Sequence, residues 1–96
     1  MRHEIVLAPE AIEDLKSLDP RDRVMVKTAM ETHLRYEPAK VSRSRIKRLR
    51  GVSRPEYRLR AGGIRVFYDI SGAVVEVLAI VPKAQAAEWL LRWGDV

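Results

Sequence analysis

The stretch "EYRLRAGGIRVFYDISGAVVEVLAIVP", residues 56–82, leaves little freedom in how the chain can fold. Tyr57, Leu59 and Ala61 alternate with Glu56, Arg58 and Arg60, and residues that alternate in this way line opposite faces of a strand. Gly62-Gly63 follows, a pair that accepts the positive φ of a tight hairpin turn. Beyond it the alternation resumes, with Ile64, Val66, Tyr68 and Ile70 on one side and Arg65, Phe67 and Asp69 on the other. Ser71-Gly72 marks a second turn. "AVVEVLAIV" (73–81) is almost wholly apolar, as in a strand covered on both faces, and Pro82 ends it. Three strands joined by two short turns make an antiparallel meander.

The remaining elements attach to this sheet. "HEIVLA" (3–8) reads as a short strand. Pro9 suits a first helical position, and Ala11, Ile12, Leu15 and Leu18 follow at helical spacing. Glu10, Glu13 and Asp14 lie in its early turns, where the helix dipole favours acids. Asp19-Pro20 restarts the chain with an N-cap and a first-turn proline. The second helix runs from about residue 20 to 36. Met25, Ala29, Thr32, His33 and Tyr36 form one side of it; Lys27, Glu31 and Arg35 form a charged ladder on the other. Two helices with so short a break make an antiparallel hairpin. After Pro38 comes a basic loop, then "IKRLRG" (46–51) as the start of the sheet. "KAQAAEWLLRW" (83–93) is a helix that Trp89, Leu90 and Trp93 dock onto the body. The order is β-α-α-β-β-β-β-α, an α+β fold with the helical hairpin on one sheet face and the arginines on the other.

A chain of 96 residues makes one domain, here spanning 1–96. There is no cysteine, which excludes disulfides and thiolate metal sites. No run reaches the roughly 20 apolar residues of a membrane span, and the first residues lack the pattern of a signal peptide, so a cytoplasmic protein is expected. The net charge of +5 is uneven: residues 40–65 hold ten basic residues and the single acid Glu56, whereas the rest of the chain is net acidic. Such a local excess attracts polyanions, nucleic acid foremost. A solvated basic face, or one that meets an acidic protein, is the plainer alternative.

In order and spacing, Leu49, Gly51, Tyr57 to Arg60, Gly62, Arg65 and Tyr68, with "VVEVLAIVPK" after them, resemble the RelE/ParE superfamily of toxins from bacterial type II toxin–antitoxin systems. The resemblance covers nearly the whole chain. It implies a RelE-like fold and a toxin neutralised by a cognate acidic antitoxin. Its RelE-like members cut mRNA on the ribosome, which would make this chain a metal-independent endoribonuclease with no cofactor. Its ParE-like members act on DNA gyrase instead, and a degenerate member would act only by binding protein.

RNA cleavage through the substrate's 2′-OH requires a proton acceptor, a cation for the phosphorane and a donor for the leaving oxygen. Guanidinium groups suit the middle task. By the resemblance, Arg58, Arg65 and Lys83 match catalytic positions, and Glu56, on the arginine face, is a candidate base whose plainer reading is a salt bridge. Arg45, Lys47 and Arg60 are candidate RNA-binding residues, with Phe67 as a base-stacking ring or, alternatively, a residue packed under the last helix. The chain departs from the RelE pattern at Ala84, where a further arginine is usual, and at Leu90, where a tyrosine is usual. His33 reads as a packed side chain, Tyr57 and Tyr68 as core, and two isolated histidines make no metal site.

Overall fold

The computed structural model describes residues 1–94. Its elements are β1 (Glu4–Leu7), α1 (Pro9–Ser17), α2 (Pro20–Leu34), β2 (Ile46–Arg48), β3 (Tyr57–Ala61), β4 (Ile64–Ser71), β5 (Val74–Pro82) and α3 (Lys83–Trp93). The expected order therefore holds. The five strands form one sheet ordered β1-β5-β4-β3-β2. The β2–β3, β3–β4 and β4–β5 pairs are antiparallel, and β1 lies parallel to β5, with Glu4 opposite Val74 and Leu7 opposite Val77.

Both hairpins turn on a glycine. Gly62 has φ +58° and Gly72 φ +57°, and each is the first residue of its turn. This is the place where a twisted hairpin requires positive φ. Gly62 has a second constraint, since a Cβ there would lie 2.8 Å from the Met25 sulfur.

One sheet face carries the main core. Leu59, Ala61, Ile64, Val66, Tyr68, Val75, Val77 and Ile80 meet Ala11 of α1 and Val26, Met30 and Leu34 of α2. The buried stripe of α2 thus runs through Val26, Met30 and Leu34, with Met25 and Ala29 beside it. The side that periodicity selected is rotated from this, and Tyr36 is exposed. The helix has apolar residues over a wide arc (Val24, Met25, Val26, Ala29, Met30), so spacing alone does not fix which line is deepest. Ile12 of α1 is likewise exposed.

The helical hairpin is secured by polar groups. Asp19 caps α2 by accepting from the Asp22 N–H at 2.8 Å. Arg23 reaches back to the end of α1 and donates to the carbonyls of Lys16 and Leu18 at 3.0 and 2.9 Å. These are carbonyls a helix end leaves without an internal partner. Arg35 pairs with Glu31 through Nε at 3.0 Å and also donates to the His3 carbonyl at 3.1 Å.

Two further bonds join the helical layer to the sheet. The Tyr68 hydroxyl, fully buried, donates to the Pro38 carbonyl at 2.6 Å; burial pushes its pKa up, so it stays protonated. Asp14 of α1 accepts from the Ile80 N–H at 3.0 Å. Ile80 lies past Val77, the last β5 residue paired to β1, so Asp14 closes an edge that β1 is too short to cover.

Tyr68→Phe would leave the Pro38 carbonyl buried without its donor, and should cost about 1–2 kcal/mol in urea unfolding with the fold retained. Burial, with the Glu10 charge adding to it, raises the Asp14 carboxyl above its usual value, and the bond from Ile80 lowers it by less. A carboxyl that binds its proton more readily when folded opposes folding at neutral pH, and this opposition fades as pH falls through the raised value. Asp14→Asn, whose amide oxygen can still accept from Ile80, should raise the melting temperature at neutral pH. That advantage should shrink as pH falls in a Tm–pH series taken between about pH 7 and 4.

Candidate functional site: a guanidinium cluster beside the C-terminal helix

The second sheet face is divided by α3. Phe67, Ala79 and Val81 form a smaller core there with Leu49, Ala86, Trp89 and Leu90. Trp89 stacks on Phe67 with ring centroids 4.9 Å apart and planes 7° from parallel. Phe67 is fully buried by this contact. A base-stacking role for Phe67 is therefore corrected to its packing alternative: with α3 docked, the ring has no free face for a nucleobase. Trp93 departs in the opposite sense, because it is 66% exposed and contributes little to docking.

Toward β2 the same face is rich in cations. Lys47, Arg58 and Phe67 lie in register across β2, β3 and β4, and Arg60 lies opposite Arg65 in the neighbouring row. The Arg60 N–H donates to the Arg45 carbonyl at 2.8 Å, which sets Arg45 beside that row. The Lys83 N–H donates to the Gly63 carbonyl at 2.8 Å and places the start of α3 against the β3–β4 turn. The backbone thus collects Arg45, Lys47, Arg58, Arg60, Arg65 and Lys83 at one end of the sheet.

These cations are not equivalent. Arg60 is exposed, Arg58 is half-buried, and Arg65 is only 6% exposed. The Arg65 guanidinium donates from Nη1 to the carbonyls of Gly62 at 2.8 Å and Ile64 at 3.1 Å. It therefore clamps the turn that separates β3 from β4. Burial first, then the charges of Arg58 and Arg60, lower its pKa; an arginine remains a cation through such a change. The Nε of Arg58 is buried with no hydrogen-bond partner. Among the described residues no carboxylate pairs with Arg58, Arg60 or Arg65. Adjacent cations without a counter-charge repel one another, and an anion would relieve that repulsion.

Glu56 does not supply it. The Arg48 guanidinium meets its carboxylate at 3.3 Å, the salt bridge expected as the plainer reading, and its own N–H donates to Asp69 at 2.7 Å. Asp69 also faces Arg54 at 3.2 Å, and Arg54 reaches Glu76 at 2.7 Å. Burial raises the Asp69 carboxyl, with the charges of Glu56 and Glu76 adding to it, while the Glu56 N–H and Arg54 hold it down without cancelling the rise. Sequence reasoning missed this network; its one signal is Glu76, a lone acid inside an apolar strand. Tyr57 and Tyr68 stack in the core as expected, 5.5 Å apart. Among the described residues, no group of three or more His, Cys, Asp or Glu could hold a metal, and no helix is long and apolar enough to cross a membrane.

This architecture, with a helical hairpin on one sheet face and a short helix with a cationic cluster on the other, is the RelE fold. The sequence matches no protein-family model and no curated protein. Solved structures do match. The archaeal RelE–RelB complex from Pyrococcus horikoshii aligns with a TM-score of 0.71 at 23% identity, covering 88% of this chain and 99% of that one. The toxin–antitoxin complex RelBE2 from Mycobacterium tuberculosis gives 0.70 at 24% identity, over 85% and 99%. A double-arginine mutant of the E. coli toxin RelE, in the free state, gives 0.68 at 22% identity, over 92% and 90%.

The geometry separates two arginines that the sequence presents alike. Arg65→Ala would leave two turn carbonyls without their donor and open a gap in β4, so it should cost about 1–3 kcal/mol of stability in chemical denaturation. Arg60→Ala, at an exposed position, should change stability by no more than about 0.5 kcal/mol.

Proposed function

We propose that this protein is the toxin of a toxin–antitoxin pair and that its cationic face binds the phosphate backbone of mRNA on the ribosome, where it cleaves the strand. The unpaired guanidinium cluster of Arg58, Arg60 and Arg65 is the observation that carries this reading. The RelE fold, found in complexes with RelB antitoxins, supports the toxin role. In this reading Arg58 and Arg60 touch the phosphate. As the 2′-hydroxyl loses its proton to water and bonds to phosphorus, the bond to the 5′-oxygen breaks and that oxygen takes a proton from water, while the two guanidinium groups hold the growing charge on the non-bridging oxygens. Arg65 acts from beneath by holding the turn, and Lys83 adds charge from the start of α3. An acidic antitoxin segment would take the place of the phosphates when the toxin is silenced, which is charge complementarity of the ordinary kind.

A second reading has its own observation. The cationic face offers no histidine or tyrosine, Glu56 is held by Arg48, and Ala84 and Leu90 stand where RelE-like nucleases carry an arginine and a tyrosine. A face that binds but lacks its own proton carriers fits a toxin that acts by protein binding alone, as a gyrase inhibitor would.

Primer extension on a reporter mRNA, after brief expression without antitoxin, separates the two. New 5′ ends inside translated codons are expected for the native chain, with a loss of at least about tenfold for Arg58→Ala with Arg60→Ala. That pair is preferred to Arg65→Ala because neither side chain holds the turn. Growth arrest with intact mRNA would reject the nuclease reading and direct the work to gyrase supercoiling.

A further inference from the structure

On the β1 side of α3 the same sheet face changes sign. Here β5 turns Glu76 and Leu78 outward, and a cleft of about 530 Å³ opens between them, the start of α1 and the tryptophans of α3. Glu10 and Asp14 line the α1 wall, Trp89 and Trp93 the α3 wall. The volume falls within the range of ligand pockets. Its one basic residue is Arg54, already engaged by Glu76 at 2.7 Å and Asp69 at 3.2 Å. Three carboxylates against one guanidinium leave the cleft net negative, on a chain whose net charge is +5.

The carboxylates do not act alone. Trp89 is held in place by its stack on Phe67, and Trp93 follows one helical turn later. Among the described residues Glu10 and Asp14 have no basic partner. Asp14 uses one oxygen for the Ile80 N–H and keeps the other for a further donor. Indole rings attract a cation to their faces, a guanidinium best of all because it is planar and weakly hydrated, and carboxylates take its N–H groups in charge-assisted bonds. An anion would be repelled, and a neutral apolar group would strip water from the acids without replacing it.

The rim shows what carries the cation. Val6, on β1 in register with the lining residue Glu76, is 41% exposed, and Trp93 of the α3 wall is 66% exposed. A small free cation would cover neither; a residue within a polypeptide brings neighbours that would. We propose that this cleft is a docking site for an arginine side chain carried on a partner polypeptide, with apolar residues flanking the arginine. The proposal is independent of any RNA chemistry at the opposite end of the sheet.

Both tryptophans of the chain line the cleft, so intrinsic fluorescence of the full protein reports on it directly. The probes are the peptide acetyl-Leu-Arg-Leu-amide, its citrulline counterpart, which is nearly isosteric and neutral, and guanidinium chloride. A saturable change with the arginine peptide is expected, with affinity for the citrulline peptide and for the Glu10→Gln variant weaker by about threefold or more. Guanidinium chloride at the same concentrations should give no saturable change. Equal response to arginine and citrulline, unchanged affinity in Glu10→Gln, or no saturation with either peptide would overturn the proposal. Saturation by guanidinium chloride alone at equal concentration would overturn its polypeptide source. Unchanged indole resonances of free Glu10→Gln would confirm that the variant keeps the cleft's shape.

Discussion

Five consecutive residues of β4, Ile64 to Tyr68, are buried, and one of them is an arginine. A strand covered on both faces must satisfy every polar group it carries. Arg65 meets that demand by turning its guanidinium onto the carbonyls of Gly62 and Ile64. The same turn carries the hold of α3 through the Gly63 carbonyl, and Arg58 and Arg60 stand on the strand that enters it. That arrangement explains why the cationic face is positioned rather than merely basic. Arg58 and Arg60 stand beside a third cation whose guanidinium is hydrogen-bonded to the turn.

Much of this fold was legible in the sequence because the strands alternate cleanly and the turns carry glycine. The β3–β4 meander, the Asp19 cap and the three helices needed only local rules. The same patterns placed the helical hairpin on one sheet face and the arginines on the other, and the RelE resemblance implied the same fold. What local rules could not reach were choices made by tertiary packing. Phe67 shares the Arg65 face, and alternation says nothing about whether a helix will cover that face; the stack on Trp89 decides it. The α2 stripe shifted for a similar reason, since five apolar residues span more of the helix than one line of contact needs. Glu56 could be placed on the arginine face, but its pairing with Arg48 depended on where a three-residue strand would lie. The acidic cleft left little signal, because α1, β5 and α3, which bring Glu10 and Asp14, Glu76, and the tryptophans together, are distant in sequence.

The resulting sheet face is bipolar. Cations gather over β2 and β3, carboxylates over β5 and the start of α1, and α3 lies between them like a ridge. The uneven charge of the chain is therefore a spatial division, and net charge alone describes neither half. A partner that touched both halves would need acidic and basic segments in a set order, which is a stricter requirement than attraction to a basic protein.

The parallel pairing of β1 with β5 has a consequence for how the chain becomes a protein. Glu4 meets Val74 and Leu7 meets Val77, so the first strand has no sheet to join until the last strand has formed. Closing so wide a loop is slow compared with making the β3–β4 and β4–β5 hairpins. During synthesis, β1 and the helix that follows it must wait, with Ala11 and Leu15 unburied, while the chain through β5 emerges. The complete core, and with it the platform on which the arginines stand, cannot close before β5 has emerged.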